Sequence, residues 1–220
     1  MSNSIEETKH PDKVDNPKQQ LRKEIGEFVK LIVWFLILFF VIRIYIIEGY
    51  EVQGPSMIQT LNDRERILVL KAPHILSQFR LFSWINALDQ FDIVVFDSPD
   101  EANKRYVKRV IAKGPQRPSG NKVDARKQGE DPAGTVLVCF DHGAVYVNNK
   151  RLDEPYLRPD QKKTDDPRSE LVLTPGTYCV LGDNRNVSKD SRSFGRIEDE
   201  HVVGRAILCF WPPSKIRLLR

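Results

Sequence analysis

An uninterrupted apolar run near the N-terminus constrains this chain more than any other feature. Residues 31–42 include no charged side chain, and apolar residues continue after Arg43, so residues 28–47 form one long apolar stretch. A helix of about 20 residues, rising about 1.5 Å per residue, spans a hydrocarbon core about 30 Å thick. The run lacks the polar face that a helix packed on a soluble core would have. We therefore predict one N-terminal transmembrane helix over residues 28–47.

The flanks of this run predict how it lies in a membrane. Lysines and arginines cluster over residues 18–30, and basic flanks stay on the cytoplasmic side of a bilayer. Residues 1–27 are otherwise polar, which predicts a flexible cytoplasmic tail. Glu48 follows the run where a cleavable signal peptide would have a small-x-small site. We therefore predict a single-pass protein anchored in the lipid bilayer, with residues 48–220 as an extracytoplasmic domain.

Beyond the apolar run, the sequence changes to short β-branched stretches bounded by charged or turn residues. Such stretches, with little helical periodicity, indicate a mainly β, antiparallel β-barrel-like domain. Loop insertions are expected at about 113–134 and 153–170, where glycine, proline and charged residues show no periodicity. The predicted strands are residues 50–52, 66–70, 92–96, 106–111, 135–140, 144–147, 178–181 and 202–211.

Residues 73–90 carry more large apolar side chains than a connecting segment usually does. Two interpretations stay open. The segment covers one end of the barrel, or its tryptophan and phenylalanine side chains contact the membrane surface.

Charge and residue spacing exclude two classes of function. The net charge is +4, and no block of basic residues is interleaved with aromatic residues, so nucleic-acid binding is not predicted. The four histidines share no metal-ligand spacing, so neither a metal nor a cofactor is predicted. Cys139, Cys179 and Cys209 each lie among apolar neighbours and are interpreted as buried thiols, although a disulfide between Cys139 and Cys179 stays open.

Ser56 is the candidate nucleophile, because it lies on a turn formed by Gly54 and Pro55 just after the apolar run. A serine is a weak nucleophile and needs a base. No histidine occurs where the sequence would direct it to Ser56. Lys108 lies in an apolar strand, and burial there disfavours the charged ammonium and lowers the lysine pKa. Lys108 is therefore the candidate general base.

Three sequence motifs carry a resemblance to a known family. They are residues 54–61 (GPSMIQTL), 106–110 (YVKRV) and 182–192 (GDNRNVSKDSR). In this order, behind an apolar anchor, they resemble the motifs of type I signal (leader) peptidases, which use a Ser-Lys dyad. Residues 91–96 and 153–157 also fit segments of that family. The resemblance covers about residues 28–212.

The resemblance implies a role for each matching residue. Ser56 attacks the scissile carbonyl, and Lys108 takes the serine proton and later gives it to the leaving amine. Ser188 hydrogen-bonds the lysine and orients it. The oxyanion is held by the Ser56 backbone N–H, while relatives with a second donor carry a hydroxyl at the position of Gly54. The supporting polar and ionic framework consists of Asp183, Asp190, Arg192 and Arg109.

The same resemblance implies the substrate. An extended peptide is expected to add alongside the strands that precede Ser56 and Lys108. Its first and third residues before the scissile bond (P1 and P3) would be small, as in an Ala-x-Ala site of a secreted preprotein. The predicted pocket walls are Tyr50, Val52, Tyr106 and Val107. These features predict a membrane-anchored serine endopeptidase that removes signal peptides at a cytoplasmic membrane; a thylakoid membrane fits the same motifs.

Two departures from the family pattern concern the backbone. Gln59 stands where the family usually has proline after Ser-Met-x, and Gln116 stands where it usually has glycine.

Two other functions share part of the pattern. A self-cleaving Ser-Lys regulatory protease would carry a DNA-binding domain, which this chain lacks in sequence. A catalytically inactive, tethered peptide-binding module would not need both Ser56 and Lys108.

Overall fold

The computed structural model describes residues 17–41, 46–71, 88–115, 135–159 and 168–219. The chain forms two compact units, residues 1–43 and residues 44–220. The predicted apolar segment 73–90 lies almost wholly outside the described residues, and so does most of the predicted loop 113–134.

In the first unit, the described residues form one helix, α1 (Pro17–Val41). It begins inside the predicted flexible tail, because proline is preformed for a first helical turn and the residues after it are good helix formers. The large apolar side chains described from Phe28 to Phe40 are exposed. The predicted span of residues 28–47 does not end as expected, since Ile47 already belongs to a strand. Among the described residues, no helix combines the length and apolar character needed to cross a membrane.

The second unit is mainly β, as predicted. Each of the predicted strands is present with small shifts at its ends, whereas β7, β8, β10 and β12 were not predicted. The strands are β1 (Ile47–Glu51), β2 (Arg66–Leu70), β3 (Ile93–Asp97), β4 (Arg105–Lys113), β5 (Val136–Asp141), β6 (Ala144–Val147), β7 (Lys150–Arg151), β8 (Ser169–Leu173), β9 (Thr177–Leu181), β10 (Ile197–Glu198), β11 (Val202–Trp211) and β12 (Arg217–Leu218). A short helix, α2 (Ser191–Phe194), lies between β9 and β10.

The larger sheet is antiparallel throughout, in the order β1-β2-β11-β3-β4-β9-β10, with β12 beside β11. Register shifts occur within β11 and between β4 and β9, and such bulges curl a sheet. No described strand joins β1 to β10, so the barrel-like sheet predicted from the sequence is a curled half-barrel. Among the described strands, β1 and β10 are the edge strands of this sheet, and β1 leads into the turn that carries Ser56.

The smaller sheet has the order β7-β6-β5-β8 and is also antiparallel. Its apolar face packs on the larger sheet, since Val138 and Phe140 of β5 share one buried cluster with Ile111 of β4 and Leu181 of β9. This packing ties the smaller sheet to the strand that carries Lys108. All three cysteines are free and buried, so the disulfide left open by the sequence is not formed.

Candidate active site

The turn that carries Ser56 follows β1 and is fixed by its apolar neighbours. Met57 and Leu61 are fully buried, and the Leu61 N–H donates to the Met57 carbonyl at 2.8 Å. Gln59 in this turn has a φ of +95°. A proline is locked near a φ of about −65° and cannot adopt that conformation. The glutamine found where the family usually has proline therefore accompanies a different backbone conformation.

Lys108 faces Ser56 from β4. Its Nζ lies 2.8 Å from Ser56 Oγ and 3.1 Å from the Val107 carbonyl oxygen, and the residue is only 4% exposed. Burial lowers the pKa of Lys108 from 10.5 to about 8, while the carboxylates of Asp190 and Asp183 oppose part of that shift. A substantial neutral fraction is therefore present at mildly alkaline pH, and only the neutral amine can accept the serine proton.

Asp183 connects the lysine strand to the serine turn. Arg109, next to Lys108, donates to Asp183 through Nε at 2.9 Å and Nη2 at 2.7 Å, and both residues are buried. The Thr60 hydroxyl donates to the same carboxylate. Arg109 Nη1 also donates to the Phe91 carbonyl at 2.9 Å. One bidentate ion pair thus fixes β4, the serine turn and the 182–192 segment relative to one another.

Asp190 closes the 182–192 segment into a compact loop. Its carboxylate accepts from the Gly182 N–H at 3.0 Å and from Arg192 Nε at 2.9 Å. Arg192 Nη2 in turn donates to the Arg185 carbonyl at 2.8 Å. Asp190 also caps α2, which begins at Ser191. The predicted framework residues therefore form two ion-pair centres, one at Asp183 and one at Asp190.

Ser188 does not make the contact expected of it. Its Oγ is buried and has no hydrogen-bond partner among the described residues, so the predicted hydrogen bond to Lys108 is absent from this structure. The contacts of Lys108 Nζ go instead to Ser56 and the Val107 carbonyl. Ser188 nevertheless lies beside the site, because it packs against Gly182.

Two contacts of the site were not predicted from the sequence. The Asn184 N–H donates to the Ser56 carbonyl at 3.0 Å, and the Asn184 side-chain amide donates to the Pro55 carbonyl at 3.2 Å. Arg185 forms a buried ion pair with Glu154. Both residues occur in motifs that match the family, but no spacing rule identifies which distant group each one contacts.

The sequence of this chain matches a known protein family. The model of the family described as "Signal peptidase, peptidase S26" matches residues 25–124 and 134–211. This chain belongs to that family. It is therefore a serine endopeptidase of the signal peptidase class. Signal peptidase IB of Staphylococcus aureus is 32% identical over 213 residues, covering 90% of this chain and 95% of the relative.

Two further relatives are described as signal peptidase I. Signal peptidase I of Bacillus licheniformis is 32% identical over 204 residues, covering 89% of this chain and 94% of its own length. A crystal structure of a signal peptidase I from Enterococcus faecalis is 28% identical. It covers 55% of this chain and 97% of its own, with a TM-score of 0.38.

The groups available for an oxyanion lie at the serine turn. Within the described residues, the Ser56 N–H has no acceptor, so it is free to bind a developing negative charge. Gly54 supplies no second donor. It has no side chain, and its N–H donates to Asp63 Oδ1 at 2.8 Å. A Cβ atom on Gly54 would have no neighbour within 4 Å, so the space in front of it is open.

The structure places three of the four predicted pocket residues together. Val52 is buried in one apolar cluster, and Tyr50 and Val107 pack against it. Tyr106 belongs to another cluster and packs against Phe96, because adjacent strand residues point to opposite faces. Its ring centre is 5.3 Å from Lys108 Nζ. Tyr106 therefore borders the lysine, on the face of β4 opposite to Val107.

Proposed function

We propose that this signal peptidase cleaves secreted preproteins after small-x-small sites, with Ser56 as nucleophile and Lys108 as general base. One observation carries the proposal: a buried lysine with a lowered pKa contacts the hydroxyl of Ser56 at 2.8 Å. No histidine is involved in this pairing. The proposed supporting residues are Asp183, Asp190, Arg192, Arg109 and Ser188.

The first chemical step follows from this pair. Neutral Lys108 removes the Ser56 hydroxyl proton while Oγ attacks the scissile carbonyl, and the Ser56 N–H stabilises the resulting oxyanion. Collapse of the tetrahedral intermediate breaks the peptide C–N bond. The ammonium of Lys108 then donates its proton to the leaving amine, which gives an acyl-enzyme and restores the neutral base. The same lysine then activates a water molecule that hydrolyses the ester.

Substrate binding uses the open strand edges. Among the strands that the structure describes, β1 is the last of the larger sheet, and residues 105–108 of β4 pair with β3 alone, whereas β9 joins β4 from Arg109 onward. An extended peptide can therefore pair with either edge and lie in the groove between them. The apolar cluster around Val52 and Val107 would accept the small P1 and P3 side chains.

Membrane attachment is part of the proposal. The apolar run of residues 31–42 lies in α1 up to Val41, and its described side chains are exposed, which favours a lipid environment for them. We propose a single-pass anchor with the N-terminus in the cytoplasm and residues 48–220 outside. Protease added to intact cells should cut residues 113–134, and complete protection of that loop would reverse this orientation.

The decisive experiment uses the full chain in detergent micelles with a preprotein that carries an Ala-x-Ala site. We expect N-terminal sequencing of the product to show cleavage after the second alanine. Ser56→Ala and Lys108→Met should each abolish cleavage while the far-ultraviolet circular dichroism stays unchanged. Cleavage by either folded variant would rule out the Ser-Lys assignment. Binding without cleavage by the unmodified chain would favour a peptide-binding module instead.

A further inference from the structure

Side chains bridge the groove between β1 and β4 at the end remote from Ser56. Arg105 Nη1 donates to the Tyr50 hydroxyl at 2.5 Å, and the Arg105 guanidinium lies 5.4 Å from the centre of the Tyr50 ring. β1 and β4 are not neighbours in the sheet. This Tyr50–Arg105 bridge therefore connects the two proposed walls of the groove directly.

Charged neighbours hold the bridge in place. Arg105 Nε donates to Asp97 Oδ1 at 3.0 Å, and Arg105 Nη1 lies 3.8 Å from Glu48 Oε1. Glu48 is itself paired with Lys71 at 3.1 Å. Burial raises the pKa of Tyr50, and its hydrogen bond to Glu48 adds to that shift, so the hydroxyl stays protonated. Both side chains of the bridge therefore have further polar partners, Asp97 and Glu48 for Arg105 and Glu48 for Tyr50.

The strand register shows which substrate residue meets the bridge. Arg105 and Val107 lie two positions apart on β4 and so share a face, and Tyr50 of β1 packs against the apolar cluster that contains Val52, the residue just after β1. Side chains of an extended peptide alternate in the same way. If the P3 residue contacts Val107, the residue that contacts Arg105 lies two positions further from the scissile bond, at P5. The bridge fills the space toward which the P5 side chain points.

We propose that the Tyr50–Arg105 bridge limits the size of the substrate side chain at P5 and makes Arg105 a specificity-determining residue. This inference rests on the proposed function and deepens it. A glycine, alanine or serine at P5 passes over the bridge without disturbing it. A large side chain must displace Arg105 from Tyr50 and Asp97 before the peptide can pair with β4.

The test compares peptides that share one Ala-x-Ala site and differ only in alanine or tryptophan at P5, using the full chain in detergent micelles. For the unmodified enzyme we expect kcat/KM to favour alanine by about tenfold or more, the size of a moderate steric preference. Arg105→Ala should reduce that ratio to about threefold or less. Arg105→Lys keeps a long cationic side chain and should retain most of the preference.

Lys104→Ala is the matched control, since Lys104 is an exposed neighbouring cation paired with Glu101, and it should leave the ratio unchanged. An unmodified enzyme indifferent to P5 size would overturn the inference. So would an Arg105→Ala variant that loses activity equally with both peptides, because that result indicates only structural support. Failure of the unmodified chain to cleave either peptide would instead contradict the proposed function, so the two failures can be told apart.

Discussion

Gly182 lies directly against Ser188 and against the backbone of Ser56. A Cβ atom on Gly182 would stand 2.5 Å from Ser188 Cβ and 2.6 Å from the Ser56 carbonyl oxygen, and it would overlap Ser188 Oγ as well. Neither the backbone nor a buried side chain can move away from such a contact without a large cost in packing energy. Only glycine at this position lets the 182–192 segment approach the serine turn.

We expect Gly182→Ala to lower kcat by at least about 10²-fold, because displacement of Ser56 by even about 1 Å from Lys108 has an effect of that order. Single-turnover cleavage of a preprotein gives the rate of the chemical step. Gly204→Ala is the control. A Cβ atom there would lie 2.5 Å from the Leu70 carbonyl oxygen, which is a similar clash in the sheet. Gly204→Ala should lower thermal stability but spare the rate per folded molecule, and equal rate losses in the two variants would contradict this interpretation.

The lowered pKa of Lys108 predicts how the rate depends on pH. Because the free enzyme needs neutral Lys108, kcat/KM should rise about tenfold per pH unit below the pKa and level off above about 8. The measurement is initial-rate cleavage of one peptide from about pH 6 to 10, with circular dichroism recorded at each pH. A profile that is already level at pH 6 would exclude this lysine as the base.

The same pKa shift also makes the stability of the fold depend on pH. Between about 8 and 10.5 the unfolded chain holds a proton on Lys108 that the folded chain has lost, so the free energy of unfolding rises with pH across that window. Below about pH 8 the folded chain carries a buried ammonium at Lys108, and this charge destabilises the fold. Lys108→Met should therefore unfold at higher urea than the unmodified chain at pH 7, and the difference should shrink toward pH 10. A constant difference would show that the lysine is not buried as described.

Ser188→Ala separates a structural role from an orienting role. The hydroxyl is buried without a partner, and such a group costs about 1–3 kcal/mol, so its removal should leave stability unchanged or raise it. If Ser188 rotates to Lys108 during the reaction, kcat should fall by about tenfold or more. Ser191→Ala is the matched control, because the Ser191 hydroxyl accepts from the Val180 N–H at 2.9 Å and its loss should lower stability. Unchanged kcat in Ser188→Ala would remove Ser188 from the mechanism.

A second prediction of stability concerns Glu65, which is buried beneath the C-terminal strand β12. Burial alone would raise its pKa, but hydrogen bonds from Arg217 and Asn62 outweigh that effect and hold the pKa at about 2. Its contribution to stability is therefore complete above its ordinary value of 4.5 and is lost as the pH falls toward 2. Arg217→Ala should lower the free energy of unfolding by about 2 kcal/mol at pH 7, less than for a fully buried pair because Arg217 is one-third exposed.

Urea unfolding at pH 7 and pH 3 tests this pair. The destabilisation caused by Arg217→Ala should be smaller at pH 3, where the unfolded carboxyl is protonated and the folded one begins to be. Arg66→Ala is a suitable control, since Arg66 forms an exposed ion pair with Glu51 and its loss should have little effect at either pH. Equal losses for Arg217→Ala at both pH values would mean that packing rather than charge holds β12.

Local patterns were sufficient to predict much of this molecule. The strand runs were recognisable from β-branched residues between turn signals, and the family motifs were enough to indicate Ser56 and Lys108. Those features depend on neighbours in the sequence. The order of the strands in the sheet depends instead on distant contacts. The half-barrel also depends on bulges in β11 and β4, which no residue pattern predicts.

The contacts that the site residues make were harder to predict than which residues belong to the site. Ser188 was expected to contact Lys108 because it lies in the right motif, yet its hydroxyl makes no hydrogen bond to any residue that the structure describes. Arg185 and Glu154 meet only because the segment after β7 packs on the 182–192 loop. Tyr106 and Val107 were both predicted as pocket walls, but strand alternation places them on opposite faces of β4, with Tyr106 packed against Phe96. In each case the outcome is decided by how distant segments approach one another.

The Asn184 contacts with Ser56 and Pro55 have a practical consequence for anyone recombining this enzyme with a relative. The serine turn takes its shape from hydrogen bonds supplied by a segment more than a hundred residues later, with the Asn184 amide and the Pro55 carbonyl 129 positions apart in the sequence. A chimaera whose crossover point lies between them would combine the serine turn of one protein with the Asn184 segment of the other. Those two segments have not evolved together. The serine turn and the Asn184 segment must therefore be exchanged together, although they are far apart in the sequence.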